Sequence, residues 1–206
     1  MIVKVCGITN LEDALAAVEA GADALGFNFY RQSPRYIAPE VARRITRQLP
    51  STVMSVGVFV NESEPDEVAR IMDSAGLTAV QLHGDESPEY CYQLRDRFTI
   101  KAVRARGDFE PQIVRDYETD AILLDAYTAD ARGGTGRVVD WEVARRVREL
   151  VPQLFLAGGL SPENVAEAIA AVEPYAVDAC SSLESAPGRK DTKRVGAFVA
   201  AARRAH

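Results

Sequence analysis

An α/β fold of the (β/α)8-barrel type, small and formed as one domain over residues 1–206, is what this chain predicts. Three observations lead there. Short β-branched apolar runs alternate with helical patterns from one end to the other. Eight such strand–helix units recur at a spacing of about 25 residues, and parallel strands need crossover helices. No linker, low-complexity tract or composition break divides the chain. A doubly wound open sheet is the competing architecture, but such sheets rarely need eight units, whereas closure removes every exposed edge.

Taken in order, the apolar runs near 2–6, 23–27, 53–59, 78–82, 98–103, 120–124, 153–157 and 175–179 read as strands. Helical patterns fall near 10–20, 39–48, 63–74, 87–96, 109–116, 139–149, 162–171 and 190–203. Asn10 caps the first helix with Asp13 in its first turn, and Pro39 sits at a first-turn position of the second. Ser161-Pro162-Glu163 is a cap followed by proline. Gly21, Gly76 and Gly107 punctuate element ends.

Composition narrows the function. Hydrophobic residues make up 47% and charged ones 26%, a globular balance that argues against disorder. The net charge of −6 argues against a sequence-independent grip on nucleic acid. No apolar run approaches the ~20 residues a membrane helix requires. Cys6, Cys91 and Cys180 are an odd count without a Cys-x-x-Cys, and residue 4 already belongs to a strand, which leaves no room for a signal peptide. Free thiols in a reducing cytoplasm are expected. His83 and His206 are the two histidines, too few for a multi-histidine metal site, and no metal is expected.

A barrel converts sequence position into spatial position, because all strand C-terminal ends gather on the face that carries chemistry. Cys6, Asp125 and Asp178 each end a predicted strand. Alternation puts Lys4 with Cys6 on one side of strand 1, Leu123 with Asp125 on one side of strand 6, and Asp178 with Cys180 on one side of strand 8. Buried polar groups need partners, so Lys4, Asp125 and Asp178 are expected to form a satisfied cluster in the upper barrel. A lysine beneath Cys6 favours the thiolate; the bland alternative is a structural Lys4–Asp pair beside an inert thiol.

Other segments suit ligand binding. Ala157-Gly158-Gly159-Leu160-Ser161-Pro162-Glu163 leads from strand 7 into a helix, and its glycines let backbone N–H groups approach an anion. Ser181 and Ser182 form a second short turn after strand 8, and loops after strands 7 and 8 are where phosphate sites of such barrels lie. Gly133-Gly134-Thr135-Gly136 is either a loop that covers the site or a backbone-amide cradle; it is no nucleotide P-loop, because Arg137 stands where Gly-Lys-Ser/Thr would follow. Arg35, after Ser33-Pro34, suits a carboxylate, or is a solvated surface arginine. Gln81 and His83 share one side at the end of strand 4, where His83 is a site wall or a cap. Cys91 and Trp141 read as helix packing.

Together and in this order, Lys4-Val5-Cys6-Gly7-Ile8-Thr9, Gly26-Phe27, Ser33-Pro34-Arg35, Gln81-Leu82-His83-Gly84-Asp85-Glu86, Leu124-Asp125 with Gly133-Gly134-Thr135-Gly136, Ala157-Gly158-Gly159-Leu160 and Pro187-Gly188-Arg189-Lys190-Asp191 resemble the phosphoribosylanthranilate isomerases of tryptophan biosynthesis. The resemblance implies a small TIM barrel that rearranges an aminoaldose phosphate bearing an anthranilate, without cofactor, as a monomer or homodimer. It implies Asp125 as general acid and Cys6 as general base, Arg35 on the anthranilate carboxylate, Asp178 on a sugar hydroxyl, Gln81 and His83 at the substrate, and Gly158, Gly159, Ser181 and Ser182 on the phosphate. Two residues depart from the family pattern. Ser182 stands where that turn usually has glycine, which raises the question of a positive φ there. Cys180 is a second thiol at the same mouth, on a strand that neighbours strand 1, so oxidation could join it to Cys6.

Rival readings remain at this stage. Metal-dependent sugar-phosphate epimerases need histidine and aspartate ligands on several strands. Indole-glycerol-phosphate synthases rely on lysine and glutamate chemistry, and Lys4 is the only lysine before Lys101. A non-catalytic phosphate-binding barrel requires Cys6 and Asp125 to be far apart or sealed from solvent.

Overall fold

The computed structural model describes residues 1–105, 109–125 and 141–205. Eight parallel strands close into a barrel in simple sequence order. They are β1 (Ile2–Cys6), β2 (Ala24–Asn28), β3 (Met54–Phe59), β4 (Ala79–Leu82), β5 (Phe98–Arg104), β6 (Ala121–Asp125), β7 (Leu154–Ala157) and β8 (Ala176–Ala179). The ring closes where β1 pairs with β8, with Lys4 opposite Asp178 and Val5 opposite Ala179.

Each strand is buried on both faces, and its alternate residues serve two cores. Ala24, Val56, Ala79, Ile100, Leu123, Phe155 and Ala176 fill the barrel interior. Leu25, Phe27, Phe59, Val80, Leu124, Leu156 and Val177 face outward into the layer beneath the helices, where Phe29 and Phe59 stack at 5.2 Å. The interior is rich in alanine, which leaves room for the long buried side chain of Lys4.

The helices are α1 (Leu11–Glu19), α2 (Pro39–Thr46), α3 (Pro65–Ala75), α4 (Pro88–Tyr92), α5 (Trp141–Arg148), α6 (Val165–Val172) and α7 (Thr192–Arg204). Asn10 caps α1 by accepting from the Asp13 amide at 2.9 Å, Pro39 opens α2, and Gly76 ends α3 with φ +67. Cys91 is fully buried, and Trp141 packs against the outer core.

Four expectations need correction. The 109–116 pattern is a 3-10 helix, Pro111–Asp116, in which proline removes one donor and the β-branched Ile113 and Val114 weaken an α-helix. The helix expected over 87–96 stops at Tyr92. The helix expected from 162 begins at Val165, because the Ser161 hydroxyl accepts from the Glu163 amide and holds a turn there. Residues before α7 form a hairpin, β9 (Glu184–Ala186) and β10 (Arg189–Lys190), around Pro187-Gly188 with Gly188 at φ +79. Gly107 lies outside the described residues.

A second buried pair fixes the loop after β4. Lys101 on β5 donates to Glu86 at 2.7 Å and to the Gly84 carbonyl at 2.8 Å, while Glu86 accepts from the Asn61 and Gly84 amides. Both side chains are 2% exposed, so removing the cation strands a carboxylate in the interior. Lys101→Met is expected to destabilise the fold by about 3–5 kcal/mol, read as a lower urea midpoint with the slope preserved.

Candidate active site

One cavity of about 290 Å³ opens at the C-terminal end of the barrel. Cys6, Arg35, Gln81, His83, Asp125, Gly158, Gly159, Asp178, Ser181 and Ser182 all line it. Ten residues nominated from sequence therefore meet in one place. Gly133-Gly134-Thr135-Gly136 falls outside the described residues.

At the seam between β1 and β8, Lys4 Nζ donates to Asp178 Oδ1 at 2.9 Å with the lysine wholly buried. Lys4 also shares one face of β1 with Cys6, two residues on, and its charge acts on that thiol. Burial alone would depress the Lys4 ammonium, but the charges of Asp178 and the Cys6 thiolate outweigh it and hold it above its usual value. Burial pushes Asp178 up to about 6, against the pull of Lys4, and the Cys6 charge adds to the rise. The Cys6 thiol is held well below the ordinary range. A hydrogen bond from Cys180 does most of this; burial opposes it, and Lys4 and Lys190 reinforce it. These neighbours favour the thiolate over the thiol at Cys6.

Asp125 does not join the Lys4–Asp178 pair as expected. It stands instead beside His83, whose Nε2 lies 3.5 Å from Asp125 Oδ2. The amide nitrogen of Gln81 lies 2.7 Å from His83 Nδ1. Gln81 thus holds the His83 ring by Nδ1 and leaves Nε2 facing Asp125. Gln81 is buried, and its Oε1 is without a hydrogen-bond partner at the cavity wall.

Arg35 lies at the cavity, but its fork is filled. Nε donates to Glu184 Oε1 at 2.8 Å and Nη2 to Oε2 at 2.6 Å. That bidentate pair leaves three of the five guanidinium N–H donors unused by Glu184. Glu184 also accepts from Lys190 Nζ at 3.1 Å, and Lys190 donates to the Cys180 carbonyl at 3.1 Å. Sequence reasoning missed Glu184 and Lys190 as parts of the site. A Pro-Gly turn between short segments was the available signal for the hairpin that carries them.

At the other end of the cavity, Gly158 and Gly159 have consecutive positive φ values of +87 and +72. Residues with a side chain rarely adopt such φ values, so glycine at both positions lets this loop bring its backbone to the cavity wall. The Ser182 hydroxyl donates to the Leu160 carbonyl and so ties this loop to the one after β8. Ser182 has no positive φ, so serine in place of glycine brings no backbone strain.

A closed parallel barrel with a thiol, a carboxyl and a glycine loop around one mouth is the framework of a proton-transferring barrel enzyme. The chain belongs to the N-(5'-phosphoribosyl)anthranilate isomerase family, whose model matches residues 3–201. It is 54% identical over 202 residues to an N-(5'-phosphoribosyl)anthranilate isomerase of Geobacter sp. (strain M21), covering 98% of each chain. The crystal structure of phosphoribosyl anthranilate isomerase from Thermotoga maritima matches with a TM-score of 0.89 and 46% identity, over 98% of this chain and 99% of that one. A phosphoribosyl anthranilate isomerase solved with reduced 1-(o-carboxyphenylamino)-1-deoxyribulose 5-phosphate matches with a TM-score of 0.87 and 44% identity, over 98% and 99%.

The thiolate is the form that alkylates, and a lowered pKa keeps it present as pH falls below the free-thiol value of ~8.5. Alkylation of Cys6 by iodoacetamide, read by mass spectrometry, is expected to slow less than a free thiol does between about pH 8.5 and 7. An unperturbed thiol slows roughly 15-fold over that range, and such a profile would contradict the site described.

Proposed function

We propose that the chain catalyses the Amadori rearrangement of N-(5'-phosphoribosyl)anthranilate to 1-(2-carboxyphenylamino)-1-deoxyribulose 5-phosphate, a step of tryptophan biosynthesis carried out in the cytoplasm. The observation that carries this reading is the presence of Cys6 and Asp125 on the walls of one cavity. A non-catalytic barrel would need them apart or sealed from solvent, whereas the Asp125 side chain is 26% exposed.

The chemistry follows from those two groups. Asp125 gives a proton to the ring oxygen as the bond from that oxygen to C1′ breaks, opening the furanose to an imine. The imine acidifies the neighbouring C2′–H. The Cys6 thiolate takes that proton, and the resulting enolamine tautomerises to the ketone. Each positioned proton transfer contributes about 10²–10⁴-fold. His83, held by Gln81, orients the Asp125 carboxyl.

Binding uses the rest of the mouth. The backbone N–H groups around Gly158 and Gly159, with those of Ser181 and Ser182, take the phosphate. The Ser182 side chain is already committed to Leu160, so its contribution is through the backbone. Arg35, braced by Glu184, offers its remaining donors to the anthranilate carboxylate. Asp178 accepts a sugar hydroxyl while Lys4 holds its Oδ1.

Purified chain under reducing conditions is expected to turn over phosphoribosylanthranilate; an inactive wild type overturns the assignment. Cys6→Ala and Asp125→Asn are each expected to lower kcat by about 10²–10⁴-fold, and full turnover in either removes the role given to that residue. Arg35→Ala is expected to raise KM more than it lowers kcat, with an unchanged far-ultraviolet circular dichroism spectrum.

A further inference from the structure

The thiolate assigned above as the base has a second thiol beside it. Val5 and Ala179 are register partners on the parallel strands β1 and β8; Cys6 is the next residue and ends β1, and Cys180 is the residue just past the end of β8. Neighbouring strands lie about 4.8 Å apart, inside the Cα separation of about 4.4–6.8 Å that a disulfide spans. Two glycines make room for the sulfurs. A Cβ on Gly26 would lie 2.6 Å from Cys6 Sγ, and one on Gly7 would lie 2.9 Å from Cys180 Sγ. Both cysteines line the same open cavity, so a small oxidant that enters it meets both.

We propose that Cys6 and Cys180 are an oxidant-responsive dithiol that closes to an intramolecular disulfide, removing the base from the site. Hydrogen peroxide is the oxidant class considered. The Cys6 thiolate attacks one peroxide oxygen; an S–O bond forms, the O–O bond breaks, and hydroxide leaves to become water on taking a proton. Cys180 then attacks the sulfur of the Cys6 sulfenic acid. An S–S bond forms, the S–O bond breaks, and the Cys180 proton leaves with the oxygen as a second water. The two sulfurs lose two electrons and peroxide gains them. A dithiol reductant reverses the result.

The surroundings suit both steps. Lys4 and Lys190 stabilise the attacking thiolate. In the reduced site the Cys6 charge helps to hold the Cys180 proton on, and once Cys6 carries oxygen that charge is gone. Lys190 Nζ lies 3.9 Å from Cys180 Sγ, placed to favour its ionisation at that moment. Cys91 is different: fully buried in α4 and with its thiol pushed up to about 11 by burial, it has no neighbour of this kind to resolve it.

The loss of activity rests on the isomerase reading; the disulfide does not. The full chain is treated with hydrogen peroxide, quenched with catalase, and split between alkylation under denaturing conditions and assay before and after dithiothreitol. The expected result is a fall in free thiols from three to one, a mapped Cys6–Cys180 linked peptide, and loss of turnover that dithiothreitol restores. Cys180→Ser is expected to be inactivated without recovery, because its sulfenic acid proceeds to sulfinic acid. Peroxide treatment that abolishes turnover with no Cys6–Cys180 linkage, or equal recovery of Cys180→Ser, overturns the proposal. A mapped linkage in a chain with no isomerase activity when reduced supports the dithiol and overturns the isomerase reading instead.

Discussion

The buried Lys4–Asp178 pair sits across the seam where the barrel closes, and the arrangement of the mouth follows from it. A lysine with no exposed surface is tolerable only when its charge is matched, and Asp178 matches it across the closing strand pair. The charge of the same ammonium favours a thiolate at Cys6, so the contact that joins β8 to β1 also bears on the thiol at the mouth. Structure and chemistry share one interaction here. Loosening it would disturb the ladder and the base together.

Around that pair the charges are balanced in a small space. Lys4, Lys190 and Arg35 are set against Asp178, Glu184 and the Cys6 thiolate. Glu184 is the hinge of this arrangement, because it takes both the Arg35 fork and Lys190. An incoming phosphate and carboxylate would tip a balanced cluster toward negative charge. Backbone N–H groups add positive potential without another buried ion, which is what the proposed phosphate-binding role of the glycine loop requires.

Much of this was readable in the chain. Strands buried on both faces appear as unbroken apolar runs, so all eight were located within a few residues. Barrel geometry then turned strand ends such as Cys6, Asp125 and Asp178 into neighbours. The unread parts had specific causes. The 109–116 segment has a helix-like pattern, but proline and two β-branched residues leave it a 3-10 turn. The hairpin before α7 has strands of three and two residues with no apolar alternation to mark them. Glu184 was missed because its partner Arg35 is 149 residues away, and no local pattern reports such a pairing. The grouping of Asp125 with Lys4 failed for a similar reason: His83, on a different strand, stands closer.

Closure of the ring by the first and last strands has a consequence for how the molecule is made. Lys4 and Asp178 lie 174 residues apart, so the buried cation of β1 meets its partner only when the intervening strands are in place. Until β8 arrives, the nascent chain carries an unpaired cation on a strand that cannot be sealed from water. The first strand is thereby kept from settling into a dry core before its last neighbour exists. Arg203 of α7 then binds the Met1 and Gly21 carbonyls and Asp23, fastening the end of the chain to its beginning. The buried pair at the seam is thus satisfied only when the whole ring is present.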